Sequence, residues 1–504
     1  MSPTIFLVLF LIFIYIARAT LLRRKQSKND RKQPPGPLAL PIIGNLHILG
    51  KLPHRTLHSL AQKYGPVMSL RLGHVPTIVV SSPEAAESIL KTHDAVCANR
   101  PKVQAAEYIS YGAKGMAFTE FGPYWRSVRK LCNLELLSVS KVESYEPLRR
   151  DELGLLVKSL RSAALAHEIV DLSGSVGGLT ENITCKLILG RSKDDRFDLK
   201  GLIREGMNLL GAFNAADYLP LLGAIDLQGL TRRLKKASKA LDQVLEKIID
   251  DHNQVPIEQK VHQNEIDFVD RLLLLMDKPI NPQDDQIHIV TRTNIKAILF
   301  DMIVGAYETS AVMLDWAFSE LLKHPRVMKN VQDELENVIG MNKMVEETDL
   351  EKLNYLEMVI KETSRLHPVA PLLVPHESME DITFNGHYIK KNSRIIVNAW
   401  SIGHDPKVWS DNVDSFYPER FIDSNIDLRG HDFQLIPFGS GRRGCPGMQF
   451  GLTTVKLVLA QLIHCFNWEL PYGLDPHHLD MEEKYGLSLP RAKHLLAVPT
   501  YRLF

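Results

Sequence analysis

The chain has 504 residues, 45% hydrophobic and 24% charged, with a formal net charge of +1. That balance is ordinary for a globular protein and gives no reason to expect nucleic acid as a partner. Its five cysteines, Cys97, Cys132, Cys185, Cys445 and Cys465, are scattered and never in C-x-x-C spacing, which speaks against a disulfide framework or a zinc site and for a reducing compartment.

Residues 5–22 are apolar apart from Arg18 and Thr20 and are followed by Arg23, Arg24, Lys25, Lys28, Arg31 and Lys32. That length is near the lower limit for crossing a bilayer, and the charge lies after the apolar run, not before it. The pattern predicts an uncleaved anchor with a lumenal N-terminus and a cytosolic globule. Cleaved signal peptides carry their charge first, and Ala17-Arg18-Ala19 is only a faint cleavage site. Pro34-Pro35-Gly36-Pro37 cannot be helical and reads as a stiff spacer. The expected organisation is an anchor over 1–22, a basic and proline-rich hinge over 23–37, and one large domain over 38–504.

Two short runs, 67–72 and 77–81, flank Gly73 and His74 and predict a hairpin. Helical periodicity or composition follows at 83–92, 125–135, 145–164, 235–251, 291–322, 325–338 and 355–366. Strand-like pieces return at 382–389 and 394–398, and 252–265 reads as a connecting loop. The fold class is therefore mainly α with a minor β-sheet. Asn182-Ile183-Thr184 is a glycosylation sequon, expected to be unused on a cytosolic globule.

The stretch 438–447, Phe-Gly-Ser-Gly-Arg-Arg-Gly-Cys-Pro-Gly, precedes an apolar run over 448–466 that reads as a buried helix. Cys445 thus stands just before a helix N-terminus, where free N–H groups and the helix dipole favour a thiolate, a metal ligand as well as a nucleophile. Arg442 and Arg443 would add to this, and the glycines would admit a flat partner close to the backbone. The alternative is an ordinary buried cysteine. Gly439, Gly441 and Gly444 also fit G-x-G-x-x-G, with Glu469 beyond, but too few residues follow for another crossover.

Phe438, Gly441, Arg443, Cys445 and Gly447 match F-x-x-G-x-R-x-C-x-G, the pattern of the cytochrome P-450 superfamily, the haem-thiolate monooxygenases. The resemblance implies the cytochrome P-450 fold and haem b, with Cys445 as axial ligand of the iron. It also implies that Trp125, Arg129 and Arg443 bond the haem propionates, with His376 at a further propionate position. Gly305-Ala306-Tyr307-Glu308-Thr309-Ser310 resembles the family's oxygen-activation motif, in which Thr309 would bond dioxygen or water and Glu308 relay protons. Ala306 departs from the usual glycine. Glu362, Arg365 and Arg420 resemble the E-x-x-R and P-E-R-F elements that lock together behind the cysteine loop.

By the same analogy Tyr108, Ile109, Met116, Ala306, Val369, Leu373 and Leu487 line a substrate pocket of apolar texture without a charge cluster. Thiolate donation favours O–O cleavage, so the implied reaction inserts one oxygen atom of O2 into a small lipophilic substrate. The proline hinge and motif details are similar to those of plant microsomal members, which favours a terpenoid, then a phenolic such as a biphenyl or phenylpropanoid. Electrons would come from NADPH through a separate cytochrome P-450 reductase on the endoplasmic reticulum membrane, docking near Arg126, Lys130 and Arg442. Two other classes compete: a haem-thiolate isomerase, which has no use for Glu308 and Thr309, and a nicotinamide dehydrogenase built on the glycine pattern.

Overall fold

The computed structural model describes residues 10, 32–190, 199–223, 225–254, 266–280, 288–410 and 412–503, with the side chains of 221 and 222 left out. Apart from Phe10, the segment expected as an anchor lies outside these residues, as do the basic residues 23–31 and most of the loop expected at 252–265.

Ten helices carry the argument: α1 (Pro53–Tyr64), α2 (Pro123–Cys132), α3 (Glu146–Leu165), α4 (Leu172–Leu189), α5 (Leu199–Gly211), α6 (Leu230–Asn253), α7 (Arg292–Lys323), α8 (Pro325–Ile339), α9 (Asn354–Leu366) and α10 (Met448–Cys465). The centre is α7. Thr291 and Asn294 form its capping box, and it ends at His324, before Pro325 opens α8. At 32 residues it spans about 48 Å. It packs against α4, α9 and α10. Among the described residues it is the one helix long and apolar enough to cross a membrane, but most of it is buried inside the protein, as befits a core helix.

Three helices escaped the sequence reading, the shortest being α1, opened by Pro53. Gly174, Gly177 and Gly178 depress the helix propensity of α4, yet eleven of its side chains, from Leu172 to Leu189, are buried; tertiary burial overrides weak local preference. The sequon is internal to α4, where Thr184 is buried and its hydroxyl donates to the Thr180 carbonyl. Another is α5, whose buried Ile203, Gly206 and Met207 lie on one face.

Among the described residues nine strands complete the fold: β1 (Val67–Leu72), β2 (Val75–Val80), β3 (Val170–Asp171), β4 (His376–Glu377), β5 (Ile382–Phe384), β6 (His387–Ile389), β7 (Arg394–Val397), β8 (Phe466–Glu469) and β9 (Leu496–Tyr501). The main sheet has the order β1-β2-β7-β4. The expected hairpin is there, pairing Leu72 with Val75 across Gly73-His74, and β7 joins β2 in parallel. The single strand expected over 382–389 is instead a hairpin, β5–β6. Asn385 and Gly386 both have positive φ, 48° and 73°, the turn that an Asn-Gly pair favours. Residues 433–438 form no strand, so the glycine pattern lacks the strand a dinucleotide site requires.

Candidate active site

Gly447 is the N-cap of α10, so Cys445 stands two residues ahead of that helix. Its backbone N–H donates 2.8 Å to the Phe438 carbonyl, closing the loop. Gly441 has φ +68°, and a Cβ there would sit 2.2 Å from the Leu90 carbonyl oxygen; only glycine fits. A Cβ on Gly447 would meet nothing within 4 Å. Cys445 keeps exposed surface although neighbouring protein crowds it.

One expectation is corrected here. Burial pushes the Cys445 thiol up, and the Gly447 N–H and Arg129, which act the other way, do not overcome it. Nor are the adjacent arginines the ones that face the sulfur. Arg442 donates 2.7 Å to Asp94, and Arg443 donates to the carbonyls of Ala98 (2.7 Å), Met116 (3.3 Å) and Thr119 (2.5 Å). Arg129, from the next wall, donates 2.7 Å to the Gly444 carbonyl.

Trp125 and Arg129 do share a face of α2. The Trp125 indole donates 3.1 Å to the Met116 carbonyl, and the Arg443 guanidinium lies 4.3 Å over its ring. Arg100, which sequence reasoning did not single out as a site residue, completes the cluster: it donates to the carbonyls of Ala117 (3.2 Å), Val374 (2.6 Å) and Pro375 (3.0 Å). Its signal was weak, a lone arginine before Pro101. Arg100, Arg129 and Arg443 make no salt bridge with a carboxylate among the described residues. Burial first, then Arg129, pulls Arg443 down to about 9. His376, on β4, donates 2.9 Å from Nδ1 to the Cys97 carbonyl, which can only accept, so Nδ1 carries the proton; burial with Arg100 beside it holds its imidazole down at about 3. A concentration of buried cations held only by carbonyls suits an anionic group, and the two propionates of haem would supply it.

The opposite wall is α7. Its buried residues run from Asn294 to Val304 and resume at Ser310, while Gly305 and Thr309 are exposed and Ala306, Tyr307 and Glu308 half-buried. A core helix that loses its cover for five residues is lining interior space. The Thr309 hydroxyl donates 2.8 Å to the Gly305 carbonyl, leaving its oxygen free to accept. A Cβ on Gly451 would lie 3.8 Å from Ser310 Oγ, so the first turn of α10 abuts α7 beside Thr309. The thiol before α10, the cation cluster beside its loop and the uncovered turn of α7 against the start of α10 are thus brought together, and these features fit haem held through a cysteine sulfur.

Asp301, Glu308 and Asp315 recur every seven residues along α7 and so fall roughly on one stripe, but they separate in function. Asp301 accepts from the backbone N–H groups of Met116 (2.5 Å) and Ala117 (2.9 Å) and from Ser110 Oγ (3.3 Å). Asp315 accepts from Ser173 Oγ at 2.6 Å. Only Glu308 reaches the uncovered segment.

Glu362 and Arg365 form a buried two-point pair at 2.8 Å for both contacts. Arg420 Nε and the Tyr417 N–H both reach the same Glu362 oxygen at 2.9 Å. Of the expected pocket residues, Ile109 and Met116 are buried, whereas Ala306, Val369, Leu373 and Leu487 are half-buried. Tyr108 is half-buried and packs against the core. It lines a cavity of about 700 Å³ with Gln104, Asp217, Thr231, Arg232 and Lys235, so the uncharged texture expected of the pocket does not extend to this outer chamber.

The family model for cytochrome P450 matches residues 34–498. Cytochrome P450 CYP736A12 of Panax ginseng is 58% identical over 476 residues, covering 94% of this chain and 95% of that protein. Cytochrome P450 71A1 of Persea americana is 44% identical over 459 residues, with 88% and 89% covered. Cytochrome P450 84A1 of Arabidopsis thaliana is 41% identical over 518 residues, with 100% and 97% covered. With the cysteine loop, the cation cluster and the uncovered segment of α7 in place, the chain belongs to the cytochrome P450 family, among the plant monooxygenases.

Proposed function

We propose that this enzyme hydroxylates a small lipophilic plant metabolite, first a terpenoid, with electrons from NADPH delivered by a separate reductase at the endoplasmic reticulum membrane. The observation that supports the reading is that Cys445 precedes α10 while the first turn of that helix, at Gly451, abuts the uncovered turn of α7 beside Thr309. Bound through the Cys445 sulfur, haem supplies the activation of O2. Arg100, Arg129, Trp125, Arg443 and His376 would hold its propionates, and the Phe438–Gly447 loop would cover its sulfur side. Glu308 and the Thr309 oxygen would hold and pass protons at the uncovered turn of α7. Ala306, Val369, Leu373 and Leu487 would exclude water from the substrate and orient it.

A phenolic substrate is the second reading. The outer chamber at Gln104, Asp217 and Lys235 favours a molecule that carries a hydroxyl over a pure hydrocarbon. Arg126 and Lys130, both exposed on α2, would dock the reductase, with Arg442 contributing less because Asp94 already pairs with it.

The test is the visible spectrum of the purified protein, reduced and exposed to carbon monoxide. The red-shifted Soret band of a thiolate-bound haem is expected, and its absence sinks the reading. Cys445→Ser is expected to abolish that band. Spectral binding titrations with terpene hydrocarbons and with plant phenolics then decide between the two substrate classes, and turnover with and without added reductase and NADPH decides the electron source.

A further inference from the structure

Two of the segments expected to wall the substrate pocket, around Val369 and around Leu487, are irregular chain outside any helix or strand. Loops of this kind hold a position only through individual contacts. The Leu489 N–H donates 2.9 Å to the Val369 carbonyl, which ties the two segments to each other. Each segment is also tied to the core: the Trp400 backbone N–H donates 3.1 Å to the Pro371 carbonyl beside Val369, and the Trp316 indole N–H donates 2.8 Å to the Leu489 carbonyl. Trp316 and Leu489 are fully buried, so the Leu489 carbonyl has no access to water as a replacement donor.

Trp316 is itself held. Its ring lies parallel to that of His367, with centroids 4.0 Å apart. His367 Nε2 is 2.6 Å from a Glu320 oxygen, and Glu320 stands one turn beyond Trp316 on α7. From the other side, α5 closes on the same loop: a Cβ on Gly211 would sit 2.3 Å from the Leu487 nitrogen. Trp316 follows Thr309 by seven residues, two turns along one stripe and about 10 Å along the axis. One rigid helix therefore carries both the uncovered oxygen-side turn and the tie to the pocket wall.

We propose that Trp316 is a specificity-positioning residue, whose indole N–H sets the height of the Leu487 wall above the haem by anchoring Leu489 to α7. This rests on the monooxygenase reading given above. Trp316 touches neither substrate nor cofactor; it acts through the backbone of Leu489. Trp316→Phe keeps an aromatic ring against His367 but removes the N–H, so the Leu489 side of the pair loses its anchor to α7 while the residues on the cysteine side are untouched.

The experiment uses the haem-loaded full chain and two iron-binding probes. Imidazole is the smaller probe, and 4-phenylimidazole adds an apolar ring that extends from the iron towards the walls. In Trp316→Phe the dissociation constant of 4-phenylimidazole is expected to rise about tenfold, the equivalent of about 1.4 kcal/mol, with that of imidazole within about twofold of wild type. No change for either probe, or an equal change for both, overturns the proposal. Glu320→Gln, which leaves the indole in place and weakens its support, is expected to give the same selective loss at about threefold. If Trp316→Phe does not load haem, that second variant decides, and equal affinities for both probes in it overturn the proposal. A wild-type protein that gives no carbon monoxide band would instead fail the monooxygenase reading.

Discussion

Arg365 and Glu362 meet through two parallel contacts of 2.8 Å in a part of the protein where neither side chain has any exposed surface. The remaining guanidinium nitrogens are satisfied by the carbonyls of Gly403, Val413 and Ser415, and the second carboxylate face by Arg420 and the Tyr417 N–H. Breaking a buried pair by removing one partner costs about 3–5 kcal/mol because the other charge is stranded. Glu362→Gln and Arg365→Lys are each expected to express mostly without haem. The measurement is the haem-to-protein absorbance ratio; a normal ratio in either variant would remove these residues from the structural role.

Asp301 clamps the 115–117 segment to α7, and that segment also supplies the Met116 carbonyl to Trp125 and Arg443. Asp301→Ala strands two backbone donors and is expected to cost roughly 1–3 kcal/mol for each. Gly115→Ala attacks the same clamp from the other side, since its Cβ would lie 2.1 Å from Asp301 Oδ2. Both variants are expected to lose haem absorbance at lower temperature than wild type, followed by a thermal ramp. Unchanged ramps would mean that the segment is held elsewhere.

Acid sensitivity follows from three buried groups. Burial, with Arg365 adding to it, holds His404 near 3 against an ordinary 6.5. Its folded value is depressed, so the unfolded chain takes up the proton first, and stability is present above 6.5 and lost as pH falls towards 3. For Glu320 and Glu483 burial acts upwards, but the bonds from His324 and His367, and from His54 and Arg55, outweigh it and hold both near 2 against 4.5. Their contribution is full above 4.5 and lost on the way to 2. Urea unfolding at stepped pH is expected to show a decline that begins below about 6.5 and steepens below about 4.5. His404→Gln is expected to reduce the slope between 6.5 and 4.5 by at most about 1.4 kcal/mol per pH unit; an unchanged slope there would show that His404 does not titrate on unfolding.

Arg126 and Lys130 are exposed one turn apart on α2, whose other face holds Trp125 and Arg129 at the cation cluster. The double variant Arg126→Glu with Lys130→Glu is expected to raise the reductase concentration needed for half-maximal turnover by about tenfold at low salt, with the difference shrinking as salt is added. The carbon monoxide spectrum stays as in wild type. Reductase saturation at the wild-type concentration would place docking on another surface.

Much of the helical scaffold was legible because its signals are local. Periodicity, Thr291 before α7 and Pro325 after it placed the central helix to within a residue. The cysteine loop was legible for the same reason, since its conformation depends on glycines within ten residues. What escaped depended on partners far along the chain. The helix α4 exists because α7 buries it, and Arg100 joins Arg443 only when chain 343 residues away folds back on it. The thiol of Cys445 was read from its helix and its neighbours in sequence, whereas burial by the whole molecule moves it in the opposite direction.

The sequence alone determined the chemistry on offer: one cysteine in a glycine and arginine loop, an acid and an alcohol in mid-helix, and the spacing of Glu362 to Arg365. The tertiary structure alone decided which groups face one another: Asp301 on a loop instead of a reaction, Tyr108 on an outer chamber, and Trp316 on the carbonyl of Leu489. The physical reason is range. Backbone preference and helix dipoles act over a few residues, but desolvation and the pairing of buried donors depend on every element that packs against a site.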